Sequence, residues 1–288
     1  MQFNNAFALV GALLLAASGV QADTCTTVGQ RREFRQLTHT ERLTFLNAVK
    51  ALQAGPVRKS LQAIDPSIMH PYWDWAYDYR LPDDSIILSP AYYGGNGNPN
   101  NNQCVPDGVF ADWKPNNGKD CIGRRFSNGN HMQIVISWGE LRSVPFANLN
   151  YQSFNTAIER VVRPVEVGIG DQFTLNRSAD DPIFFLHHAF VDKLWADWQK
   201  MSASKATSYG GSNYDGQPAT QTDVLGYGYK VEDVMDTRNL CYTYVDYNGE
   251  NNPTTAPPTT NSPTTTPPTT TPPTTTPTDS YSTTSTSS

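Results

Sequence analysis

Asp181–Gln199 reads DPIFFLHHAFVDKLWADWQ. Asp181 offers a side-chain oxygen to the free amides of a first helical turn. Pro182 suits the first helical position, where its missing N–H costs nothing. Phe184, His188, Val191 and Trp195 recur at spacings of three and four, which predicts a helix with these residues on one face. His188 then stands in an apolar, aromatic stripe. Asp192 follows four residues later, close enough to bond or orient the imidazole. His187 is its neighbour, but successive helical positions point about 100° apart, so one metal ion is not expected to take both. The plain alternative for His188 is a core histidine satisfied by a nearby acceptor.

The whole string, DP-x-FF-x-HH-x-x-x-D-x-LW-x-x-W, resembles the second copper-binding motif of the tyrosinase family. These type 3 copper proteins include tyrosinases, catechol oxidases and haemocyanins. The resemblance implies a mainly α fold with a helical bundle core and long irregular loops. It also implies two coppers on six histidines and the O₂-dependent oxidation of phenols and o-diphenols to quinones. In that motif the second histidine of the pair is a copper ligand, which falls on His188.

Tyr151–Phe173 is the expected other half of that site. Phe154, Ile158 and the Val161/Val162 pair give a helical stripe, and Ile169-Gly170-Asp171 occupies a turn. The family pattern is a helix with H-x-x-x-H before a glycine turn. Counting back from the turn puts the two ligand positions at Val162 and Glu166. A spacing of four would serve a metal, but valine cannot coordinate. Glu166 offers one oxygen, whereas copper prefers imidazole and thiolate. A partly buried or surface glutamate is the plainer reading.

Elsewhere the resemblance is interrupted. Arg31–Gln53 carries a capping-box pattern at Thr38 and Glu41, then Leu43, Leu46, Val49 and Leu52 at helical spacing, with Gly55-Pro56 as the stop. Leu61–Pro66 and the Pro71–Trp75 element PYWDW resemble family segments that follow the first copper site. No W-H-R motif precedes them, and the chain passes directly from Pro56 to Val57. The loss predicts an incomplete bundle with uncovered apolar faces, including the one around His188. Each large side chain left exposed forfeits ~1.5–3 kcal/mol. His39 and His131 are expected at the surface, and His70 in a loop or in packing.

The chain has five histidines: His39, His70, His131, His187 and His188. Five cannot fill six positions, so at most one weakly bound ion is expected. Three readings stay open. One is a catalytically inactive relative, a pseudoenzyme that binds phenolic molecules or belongs to a cell wall or matrix. Another is an active phenol-oxidising copper oxidoreductase whose first site is lost only from this sequence. The third is a mononuclear metal site at His188.

Residues 1–22 read as a signal peptide, with an apolar run at Phe7–Ala17 and a small-x-small site at Val20-Gln21-Ala22. No other run reaches membrane-spanning length. The expectation is a secreted domain over 23–248. Cys25, Cys104, Cys121 and Cys241 allow three pairings. Cys104 and Cys121 flank a Pro/Asn/Gly-rich loop, which favours that pair together with Cys25–Cys241. Leu81–Phe126 reads as long loops, and Asn176 heads a glycosylation sequon. Residues 249–288 are rich in Thr, Pro and Ser and read as a disordered, mucin-like tail. A net charge of −6 without a basic patch argues against nucleic acid.

Overall fold

The computed structural model describes residues 25, 27–54, 61–115, 118–143, 145–174, 177–225 and 228–248. The leader, the Gly55-Pro56-Val57 junction, Asn176 and the tail from 249 lie outside the described residues. The domain is mainly helical. It runs β1 (Gly29–Arg31), α1 (His39–Ala54), α2 (Leu61–Ile64), α3 (Trp138–Ser143), α4 (Tyr151–Ile169), α5 (Ile183–Gln199), α6 (Ala203–Ala206), α7 (Val231–Val234) and β2 (Tyr242–Tyr244). Between α2 and α3 the described residues make short 3₁₀ turns, loops and isolated β-bridges, in line with their turn-forming composition.

α5 is the stretch read first. Its start is fixed by Asp181, whose Oδ1 accepts from the Ile183 N–H at 3.1 Å. The same carboxylate pairs with Arg124 at 2.7 and 3.0 Å, and both side chains are fully buried. Arg124 also donates to the carbonyls of Tyr93 and Gly94, so it joins the loop region to the start of α5.

The prediction that the apolar face of α5 lies uncovered is not met. Ile183 and the run Leu186–Ala196 are buried, and so is Trp198. The PYWDW element supplies the cover. The Trp73 N–H donates to the Leu186 carbonyl at 3.2 Å, and Trp75 meets Phe190 edge-on at 4.9 Å. Tyr72 stacks on Phe190 at 5.8 Å. Tyr72, Trp73 and Trp75 are all fully buried, as core residues should be. α4 closes the other side through a Phe154–Trp198 stack at 4.6 Å and a Tyr151–Trp195 contact at 5.7 Å.

α4 begins at Asn150, whose side chain accepts from the Ser153 N–H. It ends at Gly170, with φ of 67°, where an added Cβ would stand 2.0 Å from the Arg125 carbonyl oxygen. Only glycine fits there. α1 carries the reciprocal cap read from its sequence: Glu41 N–H to Thr38 Oγ1, and Thr38 N–H to Glu41 Oε2. Leu46 is fully buried, and Leu43, Val49 and Leu52 pack against the core.

Both expected disulfides are present, Cys104–Cys121 and Cys25–Cys241. The second lies beside a parallel pairing of β1 with β2, in register Gly29 to Tyr242 through Arg31 to Tyr244. Among the described residues, no helix is long and apolar enough to cross a membrane.

Candidate metal centre

α4 and α5 together bring Glu166, His187 and His188 to one place. One ligand atom from each lies within 4.8 Å of the other two. Glu166 sits on the last turn of α4, one turn past Val162. Val162 is buried and offers no ligand atom. The sequence placed Glu166 and His188 near one another through their family positions. It did not place His187 with them. The two imidazoles swing together despite diverging backbones, with ring centroids 4.8 Å apart at 76°. A ligand atom of each imidazole lies within 4.8 Å of the other, closer than the angle between successive helical residues suggests.

His187 is fully buried, between Phe173 at 6.2 Å and Trp75 at 6.3 Å. Neither of its ring nitrogens has a hydrogen-bond partner, and His188 Nδ1 has none either. A buried polar atom left unmatched costs about 1–3 kcal/mol. The acceptor that the plain reading expects is missing at His188 Nδ1. Phe184 packs on its ring at 4.1 Å.

Burial holds both imidazoles neutral. His187 titrates well below its ordinary value, with the His188 ring adding to the effect, and His188 is held down to about 3. Burial also pushes the half-buried Glu166 carboxyl up to about 7, against the opposing pull of Arg163. Neutral imidazole is the form that binds metal.

Asp192 does not orient His188. Its Oδ2 accepts from the Tyr242 hydroxyl at 2.7 Å and the Tyr244 hydroxyl at 2.6 Å. Arg31 lies over the Tyr242 ring at 3.4 Å and donates to the Tyr244 hydroxyl at 3.3 Å. The carboxylate on α5 thus serves as the anchor for β2. The sequence could not show this, because the tyrosines lie fifty residues downstream.

The other three histidines are engaged elsewhere. His70 is a buried packing residue that donates from Nδ1 to the Pro71 carbonyl at 2.7 Å. His131 is exposed and contacts Asp83 at 2.6 Å. His39, expected at the surface, is half-buried and shares a hydrogen bond with the Tyr92 hydroxyl at 3.0 Å.

Residues 50–201 match the family described as the common central domain of tyrosinase. The chain belongs to the tyrosinase family. It is 34% identical over 202 residues to the tyrosinase ustQ of Aspergillus flavus, an alignment covering 60% of this chain and 56% of that one. It is 31% identical over 172 residues to a tyrosinase of Streptomyces antibioticus, covering 53% and 62% respectively. The chain thus spans little more than half the length of these relatives. A polyphenol oxidase variant from Thermothelomyces thermophila shares the tyrosinase fold at a TM-score of 0.59 and 20% identity, covering 84% of this chain and 96% of that one. A recombinant mushroom tyrosinase shares it at 0.54 and 15%, covering 78% and 62%.

Proposed function

We propose that this chain is an extracellular tyrosinase-family protein that holds no copper pair and does not oxidise phenols. The observation that carries the reading is the disposition of its histidines. The chain has five, and three of them, His39, His70 and His131, bond to partners away from the α4–α5 cluster. The six-imidazole clamp implied by the family therefore cannot be assembled. Val162, at a position the resemblance assigns to a copper ligand, cannot coordinate. Two disulfides and an apolar leader-like segment support an oxidising, extracellular setting. In this role the domain is a binding module for phenolic molecules or wall polymers, with the Thr/Pro/Ser-rich segment as its spacer.

The test is to secrete the full chain in copper-supplemented medium, count copper by mass spectrometry, and follow oxygen uptake with tyrosine, catechol and L-DOPA. The expected result is fewer than two coppers per chain and no uptake above the buffer rate. Two coppers with catechol turnover would overturn the reading and favour an active oxidase.

A further inference from the structure

We propose that Glu166, His187 and His188 form a mononuclear site for one first-row divalent ion, distinct in ligand set from the family's copper pair. The inference goes beyond the absence of phenol oxidation and stands independently of it.

Two independent features point to a ligand. The first is convergence: donor atoms from the two longest helices lie within 4.8 Å of one another. The second is the state of those donors. His187 is fully buried with both ring nitrogens unmatched, and His188 Nδ1 is unmatched beside it. Buried polar groups in folded proteins almost always have partners. A metal ion supplies one to each ring. Gln172 adds to the pattern, since its whole side-chain amide is buried and unmatched, and its neighbour Phe173 packs against His187.

The donor chemistry selects the ion. Two imidazoles and a carboxylate suit zinc and other borderline divalent ions of the first row. All four cysteines are held in disulfides, so no thiolate is present to favour softer ions. Ligand atoms about 2.1 Å from a tetrahedral ion stand roughly 3.4 Å apart. From separations of up to 4.8 Å, closure shortens each by about 1.4 Å at most. Three protein ligands leave a fourth position for water. The ion would tie the end of α4 to the second turn of α5.

The experiment uses the full secreted chain, stripped with a chelator and dialysed against Zn(II), with Co(II) as a spectroscopic substitute. One Zn(II) per chain is expected, with a rise in melting temperature and a tetrahedral Co(II) visible spectrum. Glu166→Gln and His187→Gln should each weaken Zn(II) binding by roughly 100-fold or more, while His131→Gln should leave it unchanged. X-ray absorption on wild-type Zn(II) protein gives a second readout if a variant fails to fold, and two imidazoles should appear in the zinc shell. No bound ion in folded protein would overturn this site and leave the proposed function standing. One ion held equally well by both ligand variants, or a shell with fewer than two imidazoles, would also overturn it. One zinc in wild type together with copper-dependent catechol oxidation would overturn the proposed function and leave the site intact.

Discussion

Replacing Arg124 with methionine isolates the interaction that sets the start of α5. The wild-type guanidinium makes two charged bonds to Asp181, at 2.7 and 3.0 Å, and bonds the Tyr93 carbonyl at 3.1 Å and the Gly94 carbonyl at 2.5 Å. Neither charged side chain is exposed. Methionine fills much of the same volume but leaves Asp181 buried and uncompensated, with loop carbonyls unmatched. Breaking a buried pair in this way costs about 3–5 kcal/mol. Against a total stability of ~5–15 kcal/mol the loss is a large one. Urea unfolding followed by tryptophan fluorescence reads it directly. Asp181→Asn keeps the Oδ1 acceptor for the Ile183 N–H while removing the charge, so it completes a double-mutant cycle. The Arg124→Met cost should fall by about 2 kcal/mol or more when Asp181→Asn is already in place, because much of it is the stranded carboxylate. An Arg124→Met cost below about 1 kcal/mol, or additive effects in the cycle, would refute the reasoning.

The two disulfides should differ in weight. By chain entropy, the 216-residue span of Cys25–Cys241 is worth about 5 kcal/mol and the 17-residue span of Cys104–Cys121 about 3. Urea midpoints of the paired serine variants should follow that order, and the reverse order would discount the entropic account. Trp198→Ala removes the stack on Phe154 and should cost about 3–5 kcal/mol in the same assay. Burial pushes the Glu33 carboxyl up from 4.5 to about 7, outweighing Arg35. The folded chain then binds this proton more tightly than the unfolded chain does. Its contribution favours folding below pH 4.5 and is withdrawn as the pH rises to about 7. Glu33→Gln should therefore gain on wild type in urea midpoint between pH 4.5 and 7.5, and parallel pH profiles would count against it.

Local signals were legible where local physics decides. The cap at Asp181, the reciprocal cap at Thr38 and Glu41, and the turn at Gly170 are short-range features, and each stands where the residues place it. The Cys104–Cys121 closure was readable because its loop is short and rich in turn formers. Interactions made by distant residues were not readable. Asp192 sits one turn past His188, and spacing alone assigned it to that imidazole; two tyrosines fifty residues on hold it instead. The angle between successive helical residues argues against His187 standing beside His188, yet their ring centroids lie 4.8 Å apart. Uncovered apolar surface was expected around α5 because the family's covering segment is missing. In the structure the PYWDW element lies there, and its backbone bond to Leu186 is made across more than a hundred residues.

The Cys25–Cys241 bond also has a mechanical meaning. A pull applied between the chain before Cys25 and the chain after Tyr244 passes through the covalent sulfur link, and the 216-residue span from Cys25 to Cys241 is bypassed. Fully drawn out, that span would reach about 710–780 Å at roughly 3.3–3.6 Å per residue. Oxidised, the domain can lengthen under tension only by the few residues outside the link, so a tethered molecule would behave as a stiff bead. Reduction turns the same chain into a long extensible spring.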